Sequence, residues 1–160
     1  FRPLVQAALH TGARYGELIG LNVRDFDRDA GAIFVAESKS GKPRRIYLAD
    51  EGLAFFEAQV AGRRPDEPMF TRKDGHRWAK SHAQRPLARA CEAAGIAPTT
   101  FHALRHTYAS HAVMAGAPLM VVAENLGHSD TRMVEKHYGH LAESYVKDTI
   151  KRTAPKFATI

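Results

Sequence analysis

The segment Phe101-His102-Ala103-Leu104-Arg105-His106-Thr107 sets an imidazole and a guanidinium three residues apart. On a helix this spacing puts His102 and Arg105 side by side, next to an inward-facing pair, Phe101 and Leu104. A planar guanidinium matches two phosphate oxygens at once and stays charged at any working pH, so the pair reads as an anion clamp with an imidazole beside it. His106 adds an i, i+4 pair with His102, a spacing that can bind zinc on one helix face. The catalytic zinc pattern needs a Glu directly after the first His, and Ala103 stands there, so no metal is expected. Arg14-Tyr15-Gly16-Glu17-Leu18 offers a second arginine at a Gly-flanked turn, with a carboxylate three residues on. As a mere surface ion pair it would be worth only about 0–1 kcal/mol. Lys39 lies at the tip of the turn-forming run Ser38-Lys39-Ser40-Gly41-Lys42-Pro43, and His128, within Leu126-Gly127-His128-Ser129-Asp130, precedes Tyr138.

The elements that must position these groups are read from hydrophobic period and from Gly and Pro punctuation. Helical spacing runs from Pro3 to Thr11 and stops at Gly12, and one or two helical turns follow from Arg14. Residues 31–37 and 44–49 are β-rich and bracket the Lys39 turn, which predicts an antiparallel hairpin with a basic tip. Helices are then expected over 50–61, 79–94, 101–115, 118–126, 130–137 and 142–152, with 69–78 irregular or a short strand. The apolar face of the 101–115 helix reads as Phe101, Leu104, Tyr108 and Ala112. The fold class is therefore α+β, mainly α-helical, with one small antiparallel sheet.

The composition bounds the function. Of 160 residues, 44% are hydrophobic and 25% charged, an ordinary globular balance with no run long and apolar enough to span a membrane. Lys and Arg number 23 against 17 Asp and Glu, a formal net charge of +6, and the sequence pI is about 9.7, as expected of a protein that meets polyanions. Cys91 is the single cysteine, which excludes an internal disulfide and a cysteine zinc cluster and fits a reducing cytoplasm. One domain over 1–160 is expected, taken as a piece of a longer chain because it begins at Phe1.

Read in order, ThrGlyAlaArgTyrGlyGluLeu, SerLysSerGlyLysProArgArgIleTyrLeu, HisAlaLeuArgHisThr, LeuGlyHisSer and HisTyrGlyHisLeu resemble the catalytic domain of the tyrosine recombinases, the phage-integrase family of site-specific DNA strand-exchange enzymes. The resemblance spans residues 11–141, and five motifs in sequence are far more specific than any one alone. It implies that Arg14, Lys39, His102, Arg105 and His128 form the site around a nucleophile, Tyr138, with Glu17 as an acidic helper. It also implies the family's catalytic-domain fold, a missing N-terminal DNA-clamping domain, no cofactor, a double-stranded DNA partner, and a homotetramer on DNA in which the helix from about Ala142 docks on a neighbour. The expected activity is DNA integration or recombination through a 3′-phosphotyrosyl intermediate, without metal or ATP and with no small-molecule substrate. A relaxing topoisomerase of related chemistry and a catalytically silent DNA-binding module are the alternatives.

The chemistry of that expectation is physical. A phenol with a pKa of about 10 costs roughly 4 kcal/mol to hold as phenolate at pH 7, and Arg14, Arg105 and Lys39 are the cations expected to lower that cost. Two guanidinium forks stabilise the charge that gathers on the non-bridging oxygens of a phosphoryl transition state. The departing 5′-oxygen needs a general acid, for which Lys39 is the choice, while His102 and His128 position the phosphate and share proton work. Lys42, Arg44, Arg45, Arg63, Arg64, Arg85 and Arg89 are expected to contact DNA phosphates.

Overall fold

A computed structural model of the chain describes residues 1–36, 43–142 and 149–155. The first helix, α1 (Arg2–Thr11), carries Pro3 in its first turn, where a missing N–H breaks no helical hydrogen bond, and ends at Gly12 with φ 61°. A side chain at Gly12 has nowhere to go: a Cβ there would lie 2.5 Å from Tyr108 Cδ1 and 2.7 Å from Leu126 Cδ2. Ala13 leads from it to Arg14, the extended N-cap of α2 (Tyr15–Gly20).

A three-stranded antiparallel sheet follows, in the order β1 (Phe26–Asp27), β2 (Ala32–Val35), β3 (Arg44–Tyr47). Ile33 stands opposite Phe26 on one side and Ile46 on the other. Ile33 and Ile46 are fully buried while their strand neighbours Phe34, Arg45 and Tyr47 are exposed, so the pleat supplies one face to the core. The predicted hairpin strands are present, each shorter than the sequence reading, and β1 was not anticipated at two residues long. The hairpin tip, with Lys39 and Lys42, lies outside the described residues.

Five helices complete the frame: α3 (Asp50–Val60), α4 (Gln84–Ala93), α5 (Phe101–Met114), α6 (Leu119–Leu126) and α7 (Arg132–Tyr138). The helix expected over 79–94 is instead a 3-10 turn at Lys80–His82 followed by α4. Pro86 explains the break, because its ring would strike the carbonyl four residues back if the α-helix began earlier. Cys91 is buried on α4. Thr100 caps α5 by accepting from Ala103 N at 3.0 Å. Of the helix expected over 142–152, residues 143–148 lie outside the described residues and 149–153 are helical. No described helix is long and apolar enough to cross a membrane.

Two apolar clusters share α5. At its N-terminal end Phe101 joins the cluster built by α1, α2, the sheet, α3 and α4, and its C-terminal half packs with α6 and α7 through Ala109 and Val113. The fully buried face of α5 is therefore Phe101, Arg105, Ala109 and Val113, whereas Leu104, Tyr108 and Ala112 are half-buried. This corrects the sequence reading by one position around the helix. Pattern reading moved the stripe off Arg105 because it treats a charged residue as solvated, yet α1 and α6 enclose that side chain.

Gly12→Ala should lower stability by about 2–4 kcal/mol, combining left-handed backbone strain with overpacking against Tyr108 and Leu126. Urea melts would measure it, and an unchanged midpoint would refute the close approach.

Candidate active site

The end of α1 and the start of α2 place Arg14. Its backbone N–H donates to Glu17 Oε2 at 2.7 Å and its guanidinium to Glu17 Oε1 at 3.0 Å. Glu17 also accepts a bidentate pair from Arg44 on β3, Nη1 to Oε1 at 2.7 Å and Nη2 to Oε2 at 2.9 Å. Burial alone would raise this carboxyl, but the Arg44 fork, the Arg14 N–H and the two positive charges hold it below the usual glutamate range. Arg44 reaches Glu17 by passing the end of α6, where Gly127 has φ 73° and a Cβ would fall 2.8 Å from Arg44 Cδ.

Arg105 points inward from α5 and is only 4% exposed. Its Nη1 donates to Gly12 O and its Nη2 to Leu126 O, both at 2.7 Å, and Nη2 also lies 2.9 Å from His128 Nε2. Burial, then the charges of Arg14 and Arg44, push its pKa down to about 10, with Glu17 and Tyr138 opposing, so it stays charged at neutral pH. A guanidinium has no acceptor atom, so His128 Nε2 must accept, and the neutral ring carries its hydrogen on Nδ1. Burial first, and then Arg105, Arg14 and Arg44, lower the His128 pKa against a small opposing effect of Asp130. Asp130 bonds the N-terminus of α7 by accepting from Arg132 N at 3.0 Å, although Thr131 is the N-cap.

Tyr138 closes α7 and is buried, with its hydroxyl hydrogen-bonded to His106 Nδ1 on α5. His106 packs edge-to-face with His102, ring centroids 4.5 Å apart, and His102 itself is exposed. Burial raises the Tyr138 phenol pKa, and Arg105 lowers it, as expected of a nearby cation, but only in part, so the resting side chain is a neutral phenol.

Arg14, His102, Arg105, His106, His128 and Tyr138 thus line one open pocket of about 170 Å³. That is below the roughly 300–1,000 Å³ of small-molecule sites. Of the sequence-predicted residues, the fold brings together Arg14, His102, Arg105, His128 and Tyr138, and sets Glu17 behind them as the tie between Arg14 and Arg44. Lys39 falls outside the described residues.

The expected DNA contacts divide. Arg44 is engaged inside the fold, and Arg63 spends its guanidinium on Gln59 O, Met69 O and Pro68 O at 3.0, 2.9 and 2.6 Å, closing the loop after α3. Arg64 is exposed but paired with Glu67 at 3.3 Å, while Arg45, Arg85 and Arg89 are exposed. Two residues carry more than the sequence reading assigned them. In the sequence His106 reads only as half of a metal pair, though its place beside Arg105 and one turn from His102 is a signal. Asn125 gave none: it accepts from Tyr47 N at 2.8 Å and donates to Tyr108 Oη at 2.6 Å, pinning β3 to α6.

A mainly helical frame with a small sheet, carrying two arginines, histidines and a tyrosine on one pocket, defines the tyrosine-recombinase catalytic-domain fold. The model of the phage integrase family matches residues 2–144, and the chain belongs to that family. It is 32% identical over 137 residues to the tyrosine recombinase XerD of Mycobacterium tuberculosis, covering 80% of this chain and 44% of that protein. The catalytic domain of bacteriophage HP1 integrase superposes with a TM-score of 0.67 at 27% identity, covering 94% of this chain and 80% of that one. The Tn1549 transposon integrase, solved in complex with transposon right end DNA, gives a TM-score of 0.78 at 22% identity, covering 96% and 58%. The chain spans about half the length of the curated relatives it matches.

Glu17→Ala should cost about 3–5 kcal/mol in urea melts, because it strands buried positive charge. The folded carboxyl titrates below its unfolded value of about 4.3, so its stabilisation is present above that pH and is lost as pH falls through the folded value. The stabilities of wild type and variant should therefore converge in acid, and parallel pH curves would refute the role.

Proposed function

We propose that the chain is the catalytic domain of a site-specific DNA recombinase. The observation that carries this reading is the convergence of Arg14, Arg105, His102 and His128 on the pocket that holds the Tyr138 hydroxyl. Tyr138 attacks a DNA phosphodiester, forms a 3′-phosphotyrosyl bond and releases a 5′-hydroxyl. The covalent bond conserves the phosphodiester linkage, so a 5′-hydroxyl from another strand can displace Tyr138 and rejoin the DNA without ATP or metal.

The roles follow from the chemistry of each group. Arg14 stands at the pocket with its charge paired on one side only, and Arg105 presents a fixed charge from within; both stabilise the non-bridging oxygens as negative charge grows there. His102, at the exposed rim, and the Nδ1–H of His128 hold the phosphate. Glu17 keeps Arg14 in place, and Lys39 protonates the departing 5′-oxygen. Arg45, Arg64, Arg85 and Arg89 serve the duplex backbone, while Arg44 and Arg63 are assigned to the fold instead. The partner is double-stranded DNA, the working assembly a homotetramer on it, and the place of action the cytoplasm.

The test uses a pool of nicked duplexes with a randomised core, incubated with the protein and resolved on denaturing gels. A heat- and SDS-stable protein–DNA adduct is expected. Tyr138→Phe should reduce its formation by roughly 10⁴-fold or more while gel-shift binding to the same duplexes stays nearly unchanged. Equal loss of both would remove Tyr138 as nucleophile. Gel-shift binding by wild type with no adduct would point to a silent DNA-binding module.

A further inference from the structure

A neutral, buried phenol that is to attack phosphorus must pass its proton to something. Arg14 and Arg105 are excluded, since a guanidinium carries donors and no acceptor. His128 turns its accepting nitrogen to Arg105. His102 lies one ring farther out, edge-on to His106. Among the described residues, the nitrogen that meets the Tyr138 hydroxyl is Nδ1 of His106.

We propose that His106 is the base of this site: its Nδ1 takes the phenolic proton of Tyr138 as the Tyr138 oxygen bonds to phosphorus, and returns it when Tyr138 departs. The inference rests on the reading of Tyr138 as nucleophile. In the forward step the Oη–P bond forms, the P–O5′ bond breaks, the phenolic proton moves to His106, and the 5′-oxygen is protonated by a separate acid. In the rejoining step the incoming 5′-hydroxyl loses its proton to that acid's conjugate base, the Oη–P bond breaks, and protonated His106 restores the phenol.

The surroundings keep His106 fit for this work. Burial, and then the charges of His102, His137 and Arg105, lower its pKa, so its ring is neutral at pH 7. The groups that face it are His102 and Arg105 on its own helix, His137 and Tyr138 on α7, and Arg14 and His128 across the pocket. No carboxylate is among the described lining, so nothing there favours a protonated ring. A neutral imidazole is too weak to ionise a resting phenol, but the phenolic proton becomes strongly acidic as the O–P bond forms. Transfer within the transition state is where such a base acts. Cleavage should then decline as pH falls through the lowered imidazole value and be level above it.

Three measurements test this. Nitrogen NMR of the DNA-free protein should find Nδ1 of neutral His106 without hydrogen, and Tyr138→Phe should shift that signal; a hydrogen on Nδ1 would overturn the role. On duplexes recovered from the adduct pool, His106→Asn keeps a polar atom near the Nδ1 position but accepts no proton. It and His106→Ala should slow adduct formation by roughly 10²–10⁴-fold with DNA binding intact, and added imidazole should restore part of the His106→Ala rate. A wild-type rate from His106→Asn would reduce His106 to a positioning residue and leave the nucleophile reading standing. With sulfur in place of the 5′-bridging oxygen, the leaving group needs no acid. The His106 defect should persist on that substrate, and its repair would assign His106 to leaving-group protonation instead. Absence of any adduct from wild type would sink the recombinase reading and this step with it.

Discussion

The structure turns on one buried guanidinium. Arg105 donates to the carbonyl of Gly12, just beyond α1, and to that of Leu126, the last residue of α6. Carbonyls at a helix C-terminus have no partner within the helix and carry the negative end of its dipole, so a cation placed between two such ends meets a need of both. Burying a charge is costly unless it is fully hydrogen-bonded, and here each partner is also a hinge of the site. The Gly12 turn delivers Arg14, and the Gly127 turn delivers His128. A single side chain thus sets the spacing between residues far apart in the chain.

Glu17 answers the repulsion that this arrangement creates. The charges of Arg14 and Arg44 lower the affinity of Arg105 for protons, and all three arginines lower that of His128. One carboxylate, only 4% exposed, ties Arg14 to Arg44 and keeps both guanidiniums in fixed positions. Three cations against one anion leave a net positive field at the pocket mouth, which is the field that a phosphodiester requires. Preorganisation of this kind means that the donors need not reorganise when charge develops.

Tyr138 occupies the opposite condition. Its ring belongs to the second apolar cluster, with Val113, Leu126 and Val134, so the packing that fixes its position also keeps its phenol protonated. The same burial that fixes the oxygen near the arginines therefore creates a demand for a proton acceptor. The neighbouring α5 presents one from the turn that also carries His102 and Arg105.

Much of this was legible in one dimension. Helix boundaries followed from Gly12, Gly62, Gly95, Gly116 and Gly127, because glycine ends a helix by local backbone geometry alone. Arg14, His102, Arg105, His128 and Tyr138 could be named from the chain because five motifs in order resemble those of one family, and their side chains suit a phosphoryl group. What pattern could not supply was every relation that depends on which surfaces meet. Arg105 read as lying off the buried face of α5 because periodicity has no knowledge of α1 and α6 closing over it. Arg44 and Arg63 read as DNA contacts because charge in a sequence does not reveal a buried carboxylate or a ring of loop carbonyls. His106 read as half of a metal pair because its partner, Tyr138, lies on another helix. Local geometry and residue chemistry are written in the chain itself, whereas burial, pairing and the protonation states that follow from them arise only when distant segments exclude water from between them.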